Sequence, residues 1–207
     1  MKTGIRRRRR TPIKATMVAL TVTLSVALVG LDASSEPAEA GWGGVSGSTG
    51  CSDINAASGS NLGAFYYYLS SPMASAQDYV FANVIAPTDL STYSSPTMPT
   101  DLIYRDLDYS TYCGLRWYTP GLGGTTGLTT CDSLAWPGGP CSSHTIRFST
   151  AFSESTSTSG RRALACHESG HAIGLTHASG STSCMLPGTT SVTTWNPTEQ
   201  GWINAFY

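Results

Sequence analysis

Lysine is missing from every position after Lys14, and only 12% of the chain is charged. Lys2, Arg6 to Arg10 and Lys14 supply seven of the twelve basic residues, so residues 41–207 are left with five arginines against ten acidic side chains. A surface of that sign cannot neutralise a run of phosphates, which excludes nucleic acid as a partner. Long apolar runs are missing as well. The longest, residues 15–31, is broken by Thr16, Thr21, Thr23 and Ser25. It falls short of the roughly 20 residues that cross a bilayer, so no stable membrane span is expected. A hydrophobic fraction of 40% is too low for a multispan membrane protein, and 10% aromatics argue against wholesale disorder. No repeat of about 20 to 50 residues recurs, so one soluble domain is the expectation for 207 residues.

What is present begins with an address. A basic start, the apolar stretch of residues 15–31 and the small-residue site Ala38-Glu39-Ala40 follow the layout of a secretory signal. Residues 9–14 also look like a twin-arginine signal weakened by Pro12, so the route of export stays open. Residues 1–40 are therefore read as a signal peptide and residues 41–207 as the secreted, extracellular domain, expected to act as a monomer. That domain owes its solubility largely to 25 serines and 22 threonines. All six cysteines (Cys51, Cys113, Cys131, Cys141, Cys166 and Cys184) lie in it. An even number in an exported chain predicts three disulfides, and the sequence leaves their connectivity open.

Along the domain, residues 41–63 are Gly/Ser-rich and read as a loosely held stretch pinned by Cys51. Residues 65–69 read as a strand, and residues 75–86 as a helix that ends before Pro87. Residues 102–104 and 115–118 are strand candidates around a turn. Residues 121–139 are a Gly/Pro-rich loop, and residues 144–149 alternate with period two, as a strand with one buried face does. Residues 153–160 read as a polar connector before a helix that opens at Arg161 and runs to Gly174. Asn196, Pro197 and Glu199 sign the start of a last helix that reaches the C-terminus, with Trp202, Ile203 and Phe206 as its apolar stripe.

The chemistry lies in Cys166-His167-Glu168-Ser169-Gly170-His171-Ala172-Ile173-Gly174-Leu175-Thr176-His177. His167 and His171 are four apart, so on a helix they stand on one face and can share a metal. Glu168 points to the edge of that face, where it can reach a metal-bound water without taking a coordination position. Gly174 can adopt the left-handed conformation that ends a helix, which lets His177 approach from another side. Three neutral imidazoles plus water make the open tetrahedral set of a catalytic zinc. Three His, one Glu and one Gly at fixed offsets arise by chance on the order of once in ~10⁵ chains of this size. Solvated or core histidines are therefore the weaker reading.

The stretch resembles the motif of the metzincin zinc metallopeptidases, H-E-x-x-H-x-x-G-x-x-H followed by a methionine turn. Met185, in Ser183-Cys184-Met185-Leu186-Pro187, matches that methionine, and Pro187 makes the turn most similar to that of the matrixins. The resemblance implies an α+β fold: a mixed twisted sheet, an active-site helix and a C-terminal helix, with residues 144–149 as the strand lining the substrate cleft. It implies a zinc endopeptidase acting on protein or peptide, with His167, His171 and His177 as ligands, Glu168 as general base and Met185 as a packing floor. It also places Cys166 and Cys184 beside the metal, where a bridge between them would staple helix to turn. Ala178 departs from the serine usual in matrixins, and no P-R-C-G latency motif occurs. Only His144 remains for a structural zinc, which is therefore expected to be absent. Residues 121–132 offer calcium carbonyls and a carboxylate but match no defined calcium loop. The competing reading is a non-catalytic, disulfide-stapled binding module with a structural zinc. Such sites usually close with a fourth protein ligand, which is hard to find here, and Glu168 would then have no purpose.

Overall fold

The computed structural model describes residues 41–51, 54–107, 112–180 and 182–207. The export signal and its Ala38-Glu39-Ala40 exit lie outside the described residues. Five strands, β1 (Asn61–Tyr66), β2 (Ser91–Ser94), β3 (Leu102–Leu107), β4 (Gly127–Leu134) and β5 (Cys141–Ser149), form one sheet in the order β2-β1-β3-β5-β4. Neighbours are parallel except β4, which runs antiparallel to β5 at the edge. Parallel pairing needs a crossover, and α1 (Ser71–Val80) with a π turn (Phe81–Ile85) supplies the one from β1 to β2. Three further helices, α2 (Thr150–Ser155), α3 (Thr158–Ala172) and α4 (Pro197–Phe206), complete an α+β fold with a mixed sheet. Among the described residues no helix is long and apolar enough to cross a membrane.

The core forms where α1 and α3 cover the sheet. Leu62, Tyr104, Ile146 and Phe148 from the strands meet Met73 and Val80 of α1 and Ala165 of α3, all buried. Polar side chains fix how α3 lies on this base. Gln77 donates to Ser169 Oγ at 3.1 Å, and the Tyr104 and Ser169 hydroxyls share a bond of 3.3 Å. Burial with a partner makes such bonds specific, because a mispacked alternative would leave polar groups unsatisfied.

The structure departs from the sequence reading in several places. The 121–139 loop contains β4, an eight-residue strand held to β5 by backbone pairing and by the Cys131–Cys141 disulfide. Glycines at both ends hid it. Residues 115–118 form no strand: Trp117 makes one isolated bridge to Thr125, because the chain turns back on itself there. The polar connector at 153–160 is mostly helical. Ser149 and Ser157 cap α2 and α3 by accepting from Phe152 N and Gly160 N, so hydroxyls that look like linker are helix starts. The 65–69 strand is shifted to 61–66, and the first helix starts earlier, with Pro72 in its first turn.

Strand β5 is buried on both faces, not one. Ile146 and Phe148 join the core, while Arg147 on the other face lies 4.1 Å over the Tyr112 ring and donates to Thr130 Oγ1. Residues 41–63 are not loosely held either. Cys51 bonds Cys113, Ala56 and Ala57 are buried, and Ala56 bonds Gly44 through its N and Cys141 through its O. Glycine here permits close backbone approach instead of freedom.

Candidate metal centre and active site

Helix α3 carries His167 and His171 one turn apart, and their Nε2 atoms are 3.1 Å from each other. Each ring's Nδ1 meets a backbone carbonyl, Cys184 O at 2.8 Å for His167 and Leu175 O at 2.7 Å for His171. A carbonyl only accepts, so both Nδ1 atoms carry the proton and both Nε2 atoms present bare lone pairs. Two lone pairs at that distance repel, and the contact cannot be a hydrogen bond between neutral rings. A cation between them reverses the sign. In a tetrahedral zinc site with Zn–N bonds of about 2.0–2.1 Å, ligand nitrogens lie about 3.3 Å apart. Burial lowers the pKa of His167 to about 4 and of His171 to about 3, and lowers that of the more exposed His177, so all three are neutral at pH 7.

Gly174, at φ +102°, ends the helix and turns the chain. His177 then approaches until one ligand nitrogen from each of the three histidines lies within 4.8 Å of the others. The donor set thus fits a zinc ion with one position left over. A second group, Cys131, Cys141 and His144, is equally close, but its sulfurs are joined in a disulfide and cannot act as thiolates. Asp132, the carboxylate of the loop considered for calcium, is taken up by Thr130 and Thr145.

Glu168 is buried against β4. Thr129 Oγ1 lies 2.8 Å from both the Glu168 carboxylate Oε2 and its carbonyl O, and donates to one at a time. Gly127 makes room for the carboxylate, because a Cβ there would come within 2.5 Å of Glu168 Oε1. Burial raises the Glu168 pKa to about 7, with the Thr129 bond opposing it. Neither Thr129 nor Gly127 was singled out from the sequence; the alternation that could reveal them is masked by the flanking glycines. The cleft in front of these groups, about 420 Å³, is lined by Gly127, Leu128 and Thr129 of β4, not by β5. β5 is interior, and the edge strand alone can present free backbone groups to an extended chain.

Below the histidines, Met185 is fully buried, with its sulfur in the space that a side chain at position 170 would need. Cys166 and Cys184 form a disulfide that joins α3 to the methionine turn. The turn is also tied to α4. Glu199, in the capping box of that helix, accepts from Ser183 Oγ at 2.7 Å and Asn196 N at 2.8 Å, and Ser183 Oγ accepts from Met185 N at 2.9 Å. Ser183→Ala would orphan the Met185 N–H, at a cost of about 1–3 kcal/mol. Urea unfolding of variant and wild type measures this, and a difference below about 0.5 kcal/mol would count against the link.

No protein-family model matches the chain, and neither does any curated protein. Among solved structures the chain is similar to two of myroilysin. One is 11% identical with a TM-score of 0.46, over 82% of each chain. The other is 13% identical with a TM-score of 0.43, over 84% of this chain and 87% of that one.

Proposed function

We propose that the chain is a secreted, matrixin-like zinc endopeptidase, with residues 41–207 as its catalytic domain. The observation that carries this is the pair of unprotonated Nε2 atoms 3.1 Å apart, with His177 closing the set. His167, His171 and His177 would hold the metal. When bound, zinc would polarise a scissile carbonyl and make a nearby water acidic enough to ionise near neutral pH. The chain's own part falls to Glu168. Its carboxylate takes the proton of the attacking water as the oxygen adds to the carbonyl carbon. It then gives that proton to the amine nitrogen as the C–N bond breaks. Strand β4 aligns an extended peptide in the cleft, Thr129 orients the carboxylate, and Met185 gives the platform a rigid floor.

The binding-module reading predicts zinc without turnover. Metal analysis of purified protein is expected to find one zinc per chain, and treatment with 1,10-phenanthroline to abolish casein cleavage, which added zinc restores. Cleavage that survives metal removal would overturn the proposal, and zinc without any peptidase activity would favour the binding module.

A further inference from the structure

The peptide 174–176 between the second and third histidines has few backbone groups, and residues 41–44 satisfy half of its bonds. Gly43 N and Gly44 N donate to Gly174 O at 2.7 and 3.3 Å, and Thr176 N donates to Gly41 O at 2.9 Å. The Thr176 hydroxyl reaches the same oxygen at 2.8 Å, and Trp42 pairs antiparallel with Leu175. The remaining bonds run back to α3: Gly174 N donates to His171 O, Leu175 N donates to Gly170 O, and Leu175 O receives the Nδ1 proton of His171. The carbonyl that fixes the tautomer and tilt of His171 therefore belongs to a residue clamped from its other side by Trp42.

The Trp42 side chain closes the clamp. Its ring lies 4.9 Å from that of Phe206 in α4, and its Cη2 would stand 3.1 Å from a Cβ at position 174. Gly174 thus does two things. It takes the positive φ that redirects the chain, and it leaves the face on which Trp42 rests. Without this strap, Gly174 O and Thr176 N lose their partners and the peptide leading to His177 is held only by its bonds back to α3.

We propose that residues 41–44, through Trp42, are a positioning strap for the metal site, holding Leu175 against His171 and setting where His177 arrives. This rests on the zinc reading above, and its readout is metal affinity, not turnover. Loss of a group that orients a metal ligand typically weakens the metal about 10- to 100-fold.

The test is zinc affinity of the purified full chain, measured by competition with a chromophoric chelator. Trp42→Ala is expected to weaken zinc about 10- to 100-fold. Trp42→Phe, which keeps a ring on Phe206, is expected to recover most of that loss. Leu62→Ala serves as a destabilised control: Leu62 is fully buried on β1, whose backbone pairs with β2 and β3, and it makes none of the clamp's hydrogen bonds. It should lower the melting temperature and leave zinc affinity unchanged. Zinc affinity of Trp42→Ala within twofold of wild type would overturn the strap, as would an equal loss in Leu62→Ala or no recovery in Trp42→Phe. A wild-type chain that binds no zinc would instead overturn the metal reading on which the strap depends.

Discussion

Glu168→Gln is expected to keep zinc and lose about 10²- to 10⁴-fold of its peptidase activity, the range that general acid–base groups contribute. The substitution changes almost nothing sterically. Glutamine can still fill the space beside Gly127 and accept from Thr129 through its amide oxygen. What it cannot do is take a proton from water and release it to an amine. Zinc content should be unaffected, since the converging nitrogens belong to His167, His171 and His177 alone. Casein cleavage at the wild-type rate would sink the mechanism. Loss of zinc along with activity would move Glu168 from proton carrier to structural support.

The legibility of this chain divides by the range of the interaction. Local signals carried well: the capping residues of α4, the helix through His167 and His171, and the turn at Gly174 all follow from neighbours within one turn. The α+β class was legible too. Strand β4 was not, because its place is decided by pairing with β5 and by a disulfide to Cys141, while its own stretch is rich in glycine and threonine. The resemblance assigned the cleft wall to residues 144–149, but that strand is buried on both faces and the cleft is lined by the edge strand β4 instead. The same cause hid Thr129, Gly127 and the Gly41–Gly44 strap. A glycine-rich segment announces freedom in composition, whereas here it marks places where two backbones or a carboxylate come unusually close.

His144 is the second place where one residue should govern a large effect, and it lies away from the metal centre. Its Nε2 donates to Asn55 O at 2.7 Å, and its Nδ1 is buried with no hydrogen-bond partner. Burial lowers its pKa to about 4, against a weaker upward pull from the Asn55 bond and from Asp132 and Asp101. The folded chain therefore excludes a proton that the unfolded chain accepts near pH 6.5. Above that pH the two states bind protons equally and the full stability is present. As the pH falls towards 4 the unfolded state gains protons and the folded state does not, so stability falls. At 1.36 kcal/mol per pH unit the loss is about 3 kcal/mol between pH 7 and pH 4, and it levels off below. Since His167 and His171 add a similar trend, the comparison must be made within the metal-free chain, wild type against His144→Gln. The variant is less stable at neutral pH, but its stability should fall by about 3 kcal/mol less over this range. Denaturant titrations at pH 7 and pH 4 give both losses, and parallel losses in the two proteins would show that His144 is not the group that acid attacks.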